Sequence, residues 1–278
     1  MLDAYIYDGL RTAFGRHAGA LAPVRPDDLV AGVMKTLVAR SPWQPEQIED
    51  VLLGCVTQAG EDARNIARNA LLLADFPVSV SGQTVNRLCA SGLGAIVDAA
   101  RAITCGEGEL YLAGGVESMS RAPYVIGKAD SAYSRDTKMY DSTIGTRFPN
   151  PQMIAKYGND SMPETGDNVA RDFGISREEA DIFAANSQAK YEAARAAGFF
   201  AAEITPVGVP TGRKSPPRMV DQDEHPRPEA SLESLAKLKP LAVDGVVTAG
   251  NASGINDGAA ALLIGNAFPP DFVCAHAL

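Results

Sequence analysis

Short apolar runs alternate with helical patterns over the first 116 residues, and this alternation constrains the fold more than any other feature. The apolar runs cover residues 4–7, 51–56, 78–85 and 110–116, and helical patterns lie between them at 29–41, 66–73 and 89–104. Asp27 or Asp28 can cap the first helix. Pro42 ends its pattern, and Gly106 can end the third helix. This order of strands and helices predicts an α/β fold with helices on the faces of a sheet.

The middle of the chain has a different character, because long polar loops replace the apolar runs. One clear helix is predicted there, since Ser176 and Glu179 form a capping-box pattern with Phe183 on the apolar side that follows. We therefore interpret residues 121–245 as an inserted domain with few strands. Residues 246–264 then return to the α/β pattern.

Composition and charge limit the class of protein. The chain has 278 residues, of which 46% are hydrophobic and 21% charged, as in ordinary globular proteins. Its formal net charge of −9 argues against nucleic acid as a partner, because no basic stripe offsets it. The start does not resemble a secretory signal and no stretch approaches a membrane span, so we expect no membrane partner. The four cysteines form no CxxC pair, which favours a reducing, cytoplasmic location.

Residues 83–96 contain the strongest candidate for chemistry. An extended run ends near Asn86, and a helix of small residues is predicted to begin at Cys89. A thiol there lies at the positive end of the helix dipole, which favours the thiolate of a nucleophilic cysteine. The residues alone leave open the alternative that Cys89 is a buried thiol filling a strand-to-helix corner. Two carboxylates beside glycines, Glu117 and Asp257, are expected to stabilise turns rather than to form an acid–base pair.

Five separate segments resemble motifs of the thiolase family. They are DGLRTAFG (8–15), VNRLCASG (85–92), AGGVESMS (113–120), DNVA (167–170) and VTAGNASGINDG (247–258). Their order and spacing match the family to about Ile264. The resemblance implies a thiolase-like layered α/β fold of two similar halves, with a loop domain inserted in the first half. It assigns residues 1–120 and 246–264 to the first half, and residues 121–245 to the loop domain that covers coenzyme A (CoA) in relatives.

The resemblance also implies roles for individual residues. Cys89 corresponds to the nucleophile that carries the acyl-thioester. The positions that resemble the family's CoA contacts are Met153, Ser161, Met162, Arg227, Ala249 and Ser253. Arg227 has the best chemistry for a polyanionic ligand, whereas Ser161 replaces a histidine of some relatives. CoA and acyl-CoA are substrates in this family, so we expect no bound cofactor and no metal.

Within the family, residues 58–65 and 140–145 look like the branch that acts on 3-oxoadipyl-CoA. The implied reaction is cleavage of 3-oxoadipyl-CoA by CoA to succinyl-CoA and acetyl-CoA, in the breakdown of aromatic compounds. The implied assembly is a homo-oligomer, a dimer or a tetramer. The alternatives are a general acetyl-CoA acetyltransferase or 3-ketoacyl-CoA thiolase, a decarboxylating condensing enzyme, and a non-catalytic thiolase fragment.

The family's second-half motifs, which carry a general-base histidine and a second cysteine, are absent from the sequence. The three histidines, His17, His225 and His276, lie in no such motif. Residues 265–278 resemble no family motif, and Cys274 in this tail is not expected to act. We therefore expect little thiolase turnover from these 278 residues alone. A shifted reading frame or a truncated gene after Gly265 is a hypothesis that resequencing the gene would test.

Overall fold

The computed structural model describes residues 3–212 and 215–267. The strands are β1 (Tyr5–Arg11), β2 (Gly15–Arg16), β3 (Asp50–Gly54), β4 (Ser81–Val85), β5 (Leu110–Ser118), β6 (Tyr124–Ile126), β7 (Met139–Asp141), β8 (Val207–Val209), β9 (Arg218–Val220) and β10 (Asn256–Gly265). The α-helices are α1 (Pro26–Ala39), α2 (Ile66–Leu73), α3 (Ser91–Cys105), α4 (Pro151–Tyr157), α5 (Met162–Phe173), α6 (Arg177–Ala196) and α7 (Leu232–Ala236). Short 3-10 helices cover Pro45–Gln47 and Met119–Arg121.

The chain divides into two compact units. The first unit contains the residues up to 123, residues 202–224 and the residues from 256 onward, and the second contains residues 124–201 and 225–255. The first unit is built on a sheet with the strand order β1-β10-β5-β3-β4, in which β2 also pairs with β10. β3 is parallel to β4 and β5, whereas β10 is antiparallel to β1, β2 and β5.

Helices cover both faces of this sheet. In β3, Val51 and Leu53 point into the larger core with α1 and α2, whereas Leu52 between them lies in a smaller core with α3. The side chains that α3 contributes to the smaller core are Ala95, Ala99 and Ile103. The alternation along β3 therefore confirms the predicted α/β arrangement.

The ends of two helices in the first unit test the sequence predictions. α1 begins at Pro26, with Arg25 as its N-cap and no capping side chain, so the predicted cap by Asp27 or Asp28 is wrong. The two carboxylates lie instead in the first turn, where their negative charge interacts favourably with the helix dipole. Pro26 starts the helix, because its fixed φ is already helical. Gly106 ends α3 with a φ of 75°, as predicted.

The second unit contains α4 to α7 and the β6–β7 hairpin. α6 begins with the predicted capping box, in which the Ser176 N–H donates to Glu179 Oε2 at 2.8 Å. The predicted helix is thus confirmed, and α4, α5 and α7, which the sequence analysis did not identify, are also present. α5 begins with the same capping box, formed by Ser161 and Glu164. Phe183, predicted on the apolar side of α6, is 78% exposed.

The two units divide the chain differently from the predicted domains. Residues 202–224 belong to the first unit, because Val209 and Val220 lie in its larger core. Residues 246–255 belong to the second unit rather than to the sheet. The interpretation of the middle region as a CoA-covering domain stays a prediction. The predicted tail lies outside the described residues from position 268 onward.

One helical stretch in the described part of the chain meets the length and composition of a membrane span, contrary to expectation. It covers residues 88–105, with a mean hydropathy of 1.4. Core helices of soluble proteins meet the same test. Within this stretch α3 packs on the sheet through Ala95, Ala99 and Ile103.

Candidate active site

Cys89 lies in a tight turn between β4 and α3. The helix begins at Ser91, so the predicted start at Cys89 is two residues too early. Leu88 adopts a φ of 52° in the left-handed region, which costs a residue with a side chain about 1 kcal/mol. The side chain of Cys89 is exposed, so the alternative of a buried structural thiol is wrong for the chain as described.

Polar side chains on either side of Cys89 hold this turn. Ser91 Oγ accepts a hydrogen bond from the Arg87 N–H at 2.9 Å and donates one to the Leu88 carbonyl at 2.6 Å. Asn86 Oδ1 accepts a hydrogen bond from the Leu88 N–H at 3.1 Å. The asparagine and the serine of the motif therefore fix the backbone that presents the thiol.

Glycines let neighbouring backbone segments approach closely at this end of the sheet. A Cβ atom on Gly54, the last residue of β3, would lie 2.3 Å from the carbonyl carbon of Ser91. A Cβ atom on Gly114 would lie 2.0 Å from the carbonyl oxygen of Ala260 on β10. Real Cβ atoms do not approach so closely, so the backbone would have to move if either position carried a side chain.

A second cysteine, Cys55, follows the neighbouring strand β3 and is 1% exposed. Its Sγ lies 3.8 Å from Asp62 Oδ2 and 3.9 Å from Glu117 Oε1. Burial, and then the negative charges of Glu117 and Asp62, raise the pKa of the Cys55 thiol to about 12. Cys55 therefore stays protonated at neutral pH. The sequence analysis assigned no role to this residue.

The three side chains Cys55, Asp62 and Glu117 place possible metal-ligand atoms within 4.8 Å of one another. Their oxygens already accept hydrogen bonds from the loop after β3. The donors to Glu117 are the N–H groups of Val56 and Thr57 and the Thr57 hydroxyl, and the donors to Asp62 are the N–H groups of Ala59 and Gly60. We assign this cluster to holding the loop.

Asp257, a fully buried residue of β10, holds the 3-10 helix that follows β5. Its Oδ1 accepts a hydrogen bond from the Ser120 N–H at 2.9 Å, and its Oδ2 accepts one from the Ser120 hydroxyl at 2.5 Å. Ser120 Oγ in turn accepts a hydrogen bond from the Ala18 N–H at 2.7 Å. The contacts of Asp257, like those of Glu117, are therefore those of turn-stabilising carboxylates, as predicted.

The six residues predicted to contact CoA all lie in the second unit. Met153 on α4 is 55% exposed and Met162 at the start of α5 is 76% exposed. Ser161 is the N-cap of α5, where its hydroxyl accepts a hydrogen bond from the Glu164 N–H at 3.4 Å. The serine therefore has a structural task that the sequence analysis missed, although the capping-box spacing could have shown it.

Ala249 is exposed in a turn that hydrogen bonds fix to α6. The Thr248 N–H donates to Asn251 Oδ1 at 2.7 Å, and Asn251 Nδ2 donates to Asp181 Oδ1 at 3.0 Å. Asp181 is 4% exposed and also pairs with Arg177 at 2.8 Å. The asparagine in the fifth motif thus anchors the turn that carries Ala249.

Asp167 joins two of the motif segments. Its Oδ1 accepts hydrogen bonds from the N–H groups of Val246 and Val247, at 2.7 Å and 2.9 Å. The motif segments 167–170 and 247–258 are far apart in the sequence, and they therefore come together at this carboxylate.

Arg227 and Ser253 are both exposed in the second unit. The Arg227 N–H donates to Gln188 Oε1 on α6 at 2.7 Å, and its Nη1 donates to the carbonyls of His225 and Pro226 at 3.1 Å. The roles of these residues in binding CoA stay predictions.

The histidines have no arrangement typical of a general base in the described chain. His17 is exposed in the first unit. His225 packs on Gly254 in the second unit, and its Nε2 lies 3.3 Å from the Ile255 carbonyl oxygen. His276 and Cys274 lie outside the described residues.

Comparison with known proteins decides the family. The family described as "Thiolase, N-terminal domain" matches residues 4–267, a range that includes all five motif segments. The chain belongs to the thiolase family. A beta-ketoadipyl-CoA thiolase of Pseudomonas putida is 58% identical to this thiolase chain over 269 residues, which cover 96% of the chain and 67% of the relative. The 3-oxoadipyl-CoA/3-oxo-5,6-dehydrosuberyl-CoA thiolase of Escherichia coli K12 is 56% identical over 266 residues, with coverages of 95% and 66%.

Relatives named for other activities are less similar to this chain. An acetyl-CoA acetyltransferase of Allochromatium vinosum is 42% identical over 261 residues, covering 93% of the thiolase chain and 64% of the relative. The crystal structure of the Bacillus anthracis acetyl-CoA acetyltransferase matches with a TM-score of 0.85 and 35% identity, over 95% of this chain and 66% of that one. This likeness confirms the thiolase-like layered α/β fold. The chain spans about two thirds of the length of the relatives it matches.

Proposed function

We propose that this thiolase acts on 3-oxoadipyl-CoA and CoA, and that Cys89 carries the acyl group between them. The observation that supports this most is the exposed Cys89 in its strained turn, in a chain 58% identical to a beta-ketoadipyl-CoA thiolase. Strained backbone is often found at functional sites. The reaction gives succinyl-CoA and acetyl-CoA.

The proposed reaction has two halves. The Cys89 thiolate attacks the 3-keto carbon, the bond between C2 and C3 breaks, and the C2 carbanion takes up a proton to leave as acetyl-CoA. The succinyl group stays on Cys89 as a thioester until the thiol of a second CoA takes it. Covalent catalysis of this kind gives ping-pong kinetics.

Six residues of the second unit are proposed to contact CoA: Met153, Ser161, Met162, Arg227, Ala249 and Ser253. Two exposed methionines suit the apolar part of such a ligand, and an exposed arginine suits its phosphates. The proposal includes a cytoplasmic homo-oligomer, a dimer or a tetramer, that uses CoA as a substrate and needs no other cofactor or metal.

A second candidate is a general acetyl-CoA acetyltransferase. The relatives from Allochromatium vinosum and Bacillus anthracis support it, at 42% and 35% identity. The higher identity to the beta-ketoadipyl-CoA thiolases favours a dicarboxylic acyl chain. Incubation with equal amounts of 3-oxoadipyl-CoA and acetyl-CoA separates the two, because the adducts differ in mass.

The direct test is the intact mass of the purified protein before and after incubation with 3-oxoadipyl-CoA, with Cys89→Ser as control. We expect a succinyl adduct on the parent chain and none on the variant. An acetyl adduct alone would favour the second candidate, and a folded parent chain without any adduct would contradict the proposal.

Turnover is expected to be negligible even where the adduct forms. The 278 residues contain no counterpart of the family's general-base motif, and loss of such a base costs about two to four orders of magnitude. Thiolysis of 3-oxoadipyl-CoA at ordinary enzyme rates, lost in Cys89→Ala, would contradict this expectation.

A further inference from the structure

Asn86 connects the turn that carries Cys89 to a different part of the sheet. Its Oδ1 accepts a hydrogen bond from the Leu88 N–H at 3.1 Å, within the turn. Its Nδ2 donates to the carbonyl oxygen of Val56 at 3.3 Å, in the loop after β3. One exposed amide side chain therefore joins two segments that lie 30 residues apart.

The loop at the other end of this connection is itself fixed. Glu117, near the end of β5, accepts hydrogen bonds from the Val56 N–H at 2.9 Å and from the Thr57 N–H at 3.0 Å. The Thr57 hydroxyl adds a bond of 2.6 Å to the same carboxylate. Since Glu117 holds the peptide groups around Val56, the carbonyl that Asn86 binds is a rigid anchor.

The turn needs such an anchor because its backbone is unfavourable. Leu88 has a φ of 52°, and its side chain is 67% exposed, so packing does little to offset the strain. The Asn86 side chain binds the N–H of this same residue. Without that bond, the turn can relax toward the conformations that leucine prefers, and Cys89 moves with it.

We propose that Asn86 is a positioning residue for Cys89. Its amide locks the left-handed turn at Leu88 to the Glu117-held loop, and so fixes the thiol at the start of α3. The inference rests on the proposed function only for the acyl-transfer role of Cys89. The orientation and reactivity of the thiol can be measured without any acyl-CoA.

The test compares the parent chain with Asn86→Ala by the rate at which iodoacetamide alkylates Cys89 between pH 6 and 10, followed by peptide mass mapping. Peptide mapping separates Cys89 from Cys55, Cys105 and Cys274. We expect alkylation at pH 8 to be at least tenfold slower in Asn86→Ala. An unchanged profile would overturn the proposal.

Asn65→Ala is the matched control. The Asn65 side chain makes three bonds, accepting from the Arg68 N–H at 3.2 Å and the Thr84 hydroxyl at 2.8 Å and donating to the Gly82 carbonyl at 2.6 Å, but it caps α2 rather than the Cys89 turn. We expect its alkylation profile to stay within twofold of the parent. An equal loss in Asn65→Ala would mean that Asn86 contributes only general stability, and would overturn the proposal.

A second variant covers the case in which Asn86→Ala does not fold. Asn86→Asp keeps the shape and the acceptor for the Leu88 N–H and replaces the donor to Val56 with a charged oxygen, so an intermediate loss is expected. Combining Asn86→Ala with Leu88→Gly should restore much of the lost rate, because glycine adopts the left-handed turn without strain. Parental reactivity in Asn86→Asp, or no rescue by glycine in a folded double variant, would count against the proposal. One outcome separates this inference from the proposed function. If Cys89 of the parent chain is alkylated as expected but forms no adduct with 3-oxoadipyl-CoA, the proposed function is contradicted and this inference still stands.

Discussion

Cys55 and Cys89 follow neighbouring parallel strands of one sheet, yet their surroundings give them opposite chemistry. Cys55 comes directly after β3, is 1% exposed and lies beside two carboxylates that raise the pKa of its thiol. Cys89 comes four residues after β4, is exposed and precedes a helix whose free N–H groups favour negative charge. The comparison teaches that the loop after a strand, and not the residue type, decides whether a cysteine is exposed or buried in the core.

The largest expected effect is the difference in alkylation between the two thiols in the folded chain. With a pKa of about 12, a thiol at pH 8 is ionised to about one part in ten thousand, and burial blocks the reagent as well. We expect iodoacetamide to modify Cys89 at least about a thousandfold faster than Cys55. Peptide mass mapping of a time course measures both sites at once. In urea, as the control, the two thiols should react at equal rates. Comparable alkylation rates of Cys89 and Cys55 in the native protein would contradict the difference between the two sites.

The next effect is the contribution of Cys55 to stability at alkaline pH. Its pKa is raised from 9.0 to about 12 in the folded chain, so the folded state keeps a proton that the unfolded state loses. This stabilisation is complete below pH 9 and is lost as the pH rises to 12, at up to about 1.4 kcal/mol per pH unit. Urea unfolding of the parent chain and Cys55→Ala across this range measures the slope. An identical slope in the two proteins would contradict the raised pKa.

Glu117→Gln should cost about 2–3 kcal/mol of unfolding free energy. The amide cannot accept from all the donors that the carboxylate now binds, and buried donors without acceptors are costly. Glu107→Gln, an exposed position of the same unit, should change the unfolding free energy by less than about 0.5 kcal/mol. Equal midpoints and slopes for both variants in urea would show that the loop around Cys55 does not depend on this carboxylate.

The smallest effect compares two exposed leucines around the turn. Leu88 is 67% exposed with a left-handed backbone, and Leu93 is 64% exposed inside α3. Leu88→Gly should be neutral within about 0.5 kcal/mol, because relief of strain offsets the entropy of glycine. Leu93→Gly should destabilise by about 1 kcal/mol, the usual cost of glycine in a helix. Thermal unfolding of the pair checks this, and an equal loss at both sites would argue against strain at Leu88.

The sequence predicted those parts of the fold that depend on neighbouring residues. Apolar runs and the glycine at 106 located β1, β3, β4, β5, β10, α2 and the end of α3, because each signal lies within a few residues of the element it controls. The pairing of β10 between β1 and β5 could not be predicted, since it joins β10 to segments about 250 and about 150 residues away.

The candidate site shows the same limit. Resemblance pointed to Cys89, but the left-handed Leu88 that delays the helix by two residues has no local signal, because leucine rarely adopts that conformation. The partners of Cys55 and Asn251 were equally invisible, because Glu117 and Asp181 lie 62 and 70 residues away from them. The capping box at Ser161 was visible in the sequence and was missed.

The antiparallel pairing of β1 with β10 has a consequence for synthesis of the protein. β1 leaves the ribosome about 250 residues before its partner Asn256–Gly265. The sheet therefore closes late and through contacts of very high sequence separation, which slow folding. An expressed piece that stops before residue 256 would leave β5 as an open edge, to which strands of other molecules can add.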